Sequence, residues 1–146
     1  MRKYGILGGV VIVFVLALFL PLMAQEETKI PVTNVKPLKG TWVNIGTVVI
    51  DGVEYPNALR PNGSGGDVEY VISRKYRFFV AEVGEPDNDE SYLPGFVVNT
   101  ENKTLINDAL RLGEPPKRIR LPIDEFVRLR IFSSNGVVWM NPYFIR

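Results

Sequence analysis

Beyond residue 40 the hydrophobic positions recur with a period near two, in short runs punctuated by Gly and Pro. Val68, Tyr70 and Ile72 alternate with Asp67, Glu69 and Val71; after Ser73-Arg74, Tyr76, Phe78 and Val80 alternate with Lys75, Arg77 and Phe79. The stretch from Asp67 to Val83 is long enough for a helix. Its β-branched and aromatic content and its spacing predict two strands joined by a tight turn instead. Arg118-Ile119-Arg120-Leu121 and Val127-Arg128-Leu129-Arg130-Ile131 repeat the alternation, with one apolar face and one arginine face, as when one side packs on a core and the other meets water. Ser133-Ser134-Asn135-Gly136 reads as a turn, Asn-Gly supplying the positive φ angles a hairpin favours. Val137 to Ile145 is a final strand, bent at Pro142. Trp42 to Ile50 adds an early strand and Phe96 to Asn99 a middle one.

Eight or nine short strands at this spacing predict an all-β fold, an antiparallel β-sandwich of jelly-roll type. The expected core is Val68, Tyr70, Ile72, Tyr76, Phe78, Val80, Val97, Leu121, Val127, Leu129, Ile131 and Trp139. Arg118, Arg120, Arg128 and Arg130 would share one surface if their strands are neighbours, either a solvated sheet face or a face for an acidic polysaccharide or protein.

The first residues follow a different pattern. Met1-Arg2-Lys3 is basic, and Tyr4 through Met23 runs without a charge. Such a run can span a bilayer, which takes roughly 20 apolar residues. Helix-breaking Pro21, small Ala24 and polar Gln25-Glu26-Glu27 also fit a cleaved secretory signal. Residues 1–24 are therefore expected to be a signal peptide or membrane-anchor helix, 25–39 a linker, and 40–146 the folded domain. Both readings export the C-terminal part: it is secreted, or held in the periplasm or cell envelope, or anchored through residues 4–23. With no Cys after the apolar run, a lipoprotein anchor is excluded.

The 146 residues contain no cysteine and no histidine. That removes disulfides, Cys/His zinc sites and every Ser-His or Cys-His catalytic pair. Setting aside Arg2 and Lys3 leaves 15 cationic against 16 anionic side chains. A near-neutral domain lacks the basic footprint of a nucleic-acid binder.

Few constellations could carry chemistry. Asn62-Gly63-Ser64-Gly65-Gly66 lacks the Gly-Lys-Ser/Thr of a phosphate loop and reads as a flexible connection. Asp87, Asn88, Asp89 and Glu90 gather oxygen ligands that a calcium ion could use, although the spacing is not that of an EF-hand; the other reading is a solvated acidic turn. A hydrolytic pair of carboxylates cannot be picked out among sixteen acidic residues, and the chain is read as non-catalytic. Sugar C–H faces stack on aromatic rings, and Tyr55 and Tyr92 stand in loop-like contexts, whereas Trp42 and Trp139 read as core.

Several segments together resemble the NPCBM family of carbohydrate-binding modules, which has a galactose-binding-like β-sandwich fold. They are the Trp42 strand, Gly52-Val53-Glu54-Tyr55-Pro56-Asn57-Ala58-Leu59, Val68-Glu69-Tyr70, Tyr76-Arg77-Phe78-Phe79-Val80-Ala81-Glu82-Val83-Gly84, Asp87-Asn88, Leu129-Arg130-Ile131 and Val138-Trp139-Met140-Asn141-Pro142-Tyr143-Phe144. Their order covers about residues 40–146. The chain departs from the family where a Gly-x-x-His type segment gives way to Asn57-Ala58-Leu59-Arg60, and where Val138 replaces an acidic residue before the last Trp. The resemblance implies a carbohydrate-binding module and, joined to the apolar start, the reading is an exported module for cell-envelope or environmental glycans; the candidate ligand contacts are Tyr55, Asn57, Arg60 and Tyr92. The alternative is an envelope module that binds a protein partner and has no sugar affinity.

Overall fold

In the computed structural model, which describes residues 26–63, 66–89 and 93–146, the alternation resolves into two antiparallel sheets packed face to face. Ten strands stand among the described residues: β1 (Lys29–Pro31), β2 (Trp42–Ile50), β3 (Val53–Pro61), β4 (Asp67–Val71), β5 (Phe78–Gly84), β6 (Gly95–Thr100), β7 (Thr104–Ala109), β8 (Lys117–Pro122), β9 (Arg128–Ser133) and β10 (Val138–Ile145). One sheet has the order β2-β3-β10-β5-β8, with β1 also paired to β10; the other has the order β4-β9-β6-β7. The expected N-terminal helix lies outside the described residues. Residues 29–31, within the expected linker, form a strand on the end of β10, with Lys29 opposite Ile145 and Pro31 opposite Tyr143.

The core is an aromatic layer between the sheets. Trp139 lies at its centre, edge-on to Trp42 at 6.0 Å and to Phe96 at 5.5 Å. Phe144 stacks on Tyr76 at 4.7 Å and meets Tyr70 edge-on at 5.3 Å. Both Trp139 and Phe144 come from β10, five positions apart, where strict alternation would put them on opposite faces. A register shift between Met140 and Tyr143 reconciles them. Asn141 takes φ 46° there, and Pro142 follows. This bulge restores Phe144 to the core and leaves Tyr143 on the outer face.

Several expectations change. Phe79, Ala81 and Val83 face the core on β5, while Phe78 and Val80 pack outside with Tyr143 and Ile145. Phe78-Phe79-Val80-Ala81 is apolar on both parities, so alternation alone does not set the phase. The same holds for Phe96-Val97-Val98, where Phe96 and Val98 are buried and Val97 is half-exposed. Val127 precedes β9 and is exposed, and Leu121 is only partly buried against the core. The turn at Ser73-Arg74, both at positive φ, does not close a hairpin: it passes the chain from one sheet to the other. So does Ser134–Val137, in which only Gly136 has a positive φ. Arg118 and Arg120 on β8 and Arg128 and Arg130 on β9 lie on different sheets, so the four form no single surface.

The β2–β3 hairpin positions the candidate site. Asp51-Gly52, both at positive φ, make the two-residue turn that suits strand twist. β3 is paired with β10 at Leu59, opposite Trp139, and the part of β3 before Leu59 stands apart from β10. Two register shifts around Gly46 bend the hairpin. Its apolar residues Ile45, Val48, Ile50 and Tyr55 pack over Val138 and Met140 on the outer face of the larger sheet. Gly84 makes room for the tip, since a Cβ there would stand 2.7 Å from Ile50 Cδ1.

Candidate functional site

Where the hairpin parts from β10, a cleft of about 290 Å³ opens. Its polar lining is Thr33, Asn44, Asn57 and Asn141; its apolar lining is Pro31, Pro56, Leu59 and Pro142. No lining residue carries a charge. Asn57 (φ 55°) and Asn141 (φ 46°) both adopt the left-handed conformation that Asn tolerates better than most residues. Asn44 Oδ1 accepts the Gly46 N–H at 2.8 Å, which fixes the amide and leaves its NH₂ as a donor. The site is thus assembled from a bulge in β2, the bend in β3, the bulge in β10 and the turn after β1.

The four expected ligand contacts are not brought together. Asn57 lines the cleft. Tyr55 is half-buried in the apolar cluster beneath the hairpin. Arg60 lies outside the lining, with its Nε buried and without a hydrogen-bond partner. Tyr92 lies outside the described residues. Thr33, Asn44 and Asn141 were not singled out from the sequence; Asn141-Pro142 interrupting an otherwise apolar strand is the signal that marks the last of them.

The acidic loop serves the hairpin. Asp87 Oδ1 and Oδ2 accept the N–H groups of Asp51 and Gly52 at 2.7 and 2.9 Å, and the Asp87 N–H donates to the Val49 carbonyl at 2.8 Å. Glu85 is buried, and burial, then the nearby Asp89 charge, push its carboxyl above the usual range. Among the described residues no three acidic side chains converge as a metal site would require; Glu90 lies outside them.

A larger depression of about 470 Å³ lies on the outer face of the smaller sheet. Its charges are mostly engaged. Arg128 meets Glu69 at 3.6 Å, and Arg130 lies near Asp67 at 2.5 Å. The Val127 N–H, and then that of Arg128, hold the Glu101 carboxyl below its usual range. Such a surface satisfies itself more than it invites a ligand.

No protein-family model and no curated protein matches the chain. Solved structures do. The second CBM51 module of Clostridium perfringens ZmpB, solved with INT domains, superposes with a TM-score of 0.66 at 13% identity, over 82% of this chain and 32% of that one. The CBM51 of Clostridium perfringens GH95, solved in complex with methyl-galactose, gives 0.64 at 12% identity, over 80% of this chain and 99% of that one. The tandem CBM51 modules of a Streptococcus pneumoniae family 98 glycoside hydrolase give 0.63 at 13% identity, over 80% and 46%. The chain has the fold of the CBM51 carbohydrate-binding modules.

Proposed function

We propose that this is an exported, non-catalytic glycan-binding module whose amide-lined cleft takes the hydroxyl groups of a neutral sugar. The carrying observation is the lining itself: three asparagines and a threonine around Leu59 and three prolines, with no charge. An amide offers both donors and acceptors, matching a sugar hydroxyl, which is also both. The prolines and Leu59 supply apolar area for C–H faces, and a small concave site with a few convergent polar groups is what a small ligand needs. The lining has no pair of carboxylates of the kind glycoside hydrolysis uses. Methyl-galactose is the sugar bound by one structural neighbour, and GlcNAc by another. Export rests on the basic start and apolar run of residues 1–24.

Calorimetric titration with methyl-galactose, GlcNAc and a panel of neutral glycans, with calcium and with chelator, tests this. Saturable binding to one glycan class is expected. Asn57→Gly removes the amide while keeping the backbone conformation and should weaken binding about tenfold, the equivalent of one hydrogen bond. Chelator should leave affinity unchanged, because Asp87 is tied to the hairpin turn. A folded protein that binds no glycan would favour the protein-interaction module.

A further inference from the structure

A second depression adjoins the cleft. It has a volume of about 180 Å³, lies on the outer face of the larger sheet, and shares Asn141 with the cleft. Lys29, Glu82 and Arg118 supply its charged lining, and Tyr143 part of its apolar lining. Two other cations on this face are occupied: Arg120 and Arg77 lie 2.7 and 3.6 Å from Glu27, and Arg120 also covers the Phe78 ring. Lys29 and Arg118 differ. Glu82 is the cross-strand partner of Arg118, yet neither Arg118 nor Lys29 has a carboxylate within ion-pair distance among the described residues. Lys29 lies in the field of Glu27 and sits 5.2 Å from the Tyr143 ring centre. The depression therefore presents two cations against one anion, beside an uncharged cleft.

We infer that Lys29 and Arg118 form a subsite for an anionic group, a carboxylate or a sulfate ester, on a glycan whose neutral sugar occupies the amide-lined cleft; this rests on the cleft being the sugar site. Asn141 touches both units. A guanidinium offers a carboxylate or sulfate paired N–H donors, and a nearby ammonium adds charge. Glu82 weakens the site without cancelling it. The ligand class is then an acidic oligosaccharide rather than a neutral one.

The test compares pairs of galactose-containing oligosaccharides that differ in one sulfate ester, and pairs that differ in one uronate carboxylate against its methyl ester. Affinities are measured for the full chain and for Lys29→Gln/Arg118→Gln, with a thermal melt to check folding. The charged member should bind about five- to tenfold tighter than its neutral partner, the range for two partly exposed charge contacts. The double variant should bring that ratio close to one, and Glu82→Gln should raise it. The sulfate and carboxylate pairs separate the two sources of negative charge. A neutral member that binds with no gain in its charged partner overturns the anionic subsite and leaves the cleft standing. So does a gain that survives in the double variant. Binding of neither member overturns both readings.

Discussion

Tyr70 shows how much one hydroxyl can tie together. It accepts the Trp42 indole N–H at 2.7 Å and donates to the Val32 carbonyl at 3.0 Å, joining β2, β4 and the turn after β1. Burial is the main reason its pKa is pushed from 10.0 to about 12, and the Trp42 hydrogen bond offsets only part of this. The fold favours the neutral phenol, so the unfolded chain loses its proton first as pH rises. Stability from this group is complete below pH 10 and declines as pH climbs towards about 12. Tyr70→Phe should lower stability at neutral pH by about 1–2 kcal/mol, since it leaves an indole N–H and a carbonyl without their partner. It should also remove that part of the alkaline loss. Denaturant titrations of the two chains at pH 8 and pH 11 check both effects: a difference that does not narrow at pH 11 contradicts the assignment.

At the scale of the element, the bent β2–β3 hairpin is the unit that shapes the cleft, because Asn44, Pro56, Asn57 and Leu59 all belong to it. Its tip is held by the Asp87 carboxylate and by the packing of Ile50 against Gly84. Gly84→Ala should force Ile50 to move and cost about 1–3 kcal/mol, as overpacking does. Ile50→Val deletes the conflicting Cδ1, so the double variant should lose clearly less than the sum of the single ones. A double-mutant cycle measured by chemical unfolding reads this directly, and strict additivity would contradict the contact. The strand of the hairpin was legible, with Trp42 to Ile50 matching β2 end to end. Its fold-over was not. Asp51-Gly52 is a local hairpin signal, but the tie between Asp51 and Asp87 spans 36 residues and leaves no trace in periodicity.

For the whole molecule, a two-sheet sandwich follows from short alternating runs broken by Gly and Pro, because each such strand must bury one face against another sheet. Which strand joins which sheet does not follow. The turns at Ser73-Arg74 and Asn135-Gly136 use the residues of hairpins while carrying the chain between layers. Consequently the four arginines, which would share one face only if their strands were neighbours, are divided between two. Strands apolar on both parities also hide their phase, which is why Phe79 rather than Phe78 reaches the core. The cleft is less legible still. It draws on four separate stretches, and its asparagines gain meaning only through the bulges in β2 and β10 that bring them together.

The most direct measurement is an NMR titration of the ¹⁵N-labelled protein with methyl-galactose and with GlcNAc, following the side-chain amides of its asparagines. The amides of Asn44, Asn57 and Asn141 should shift together and saturate at one common affinity, with the backbone of Asn141 moving with them. Saturable shifts confined to the outer face of the smaller sheet, or no shift at all in the folded protein, would contradict a sugar site in this cleft.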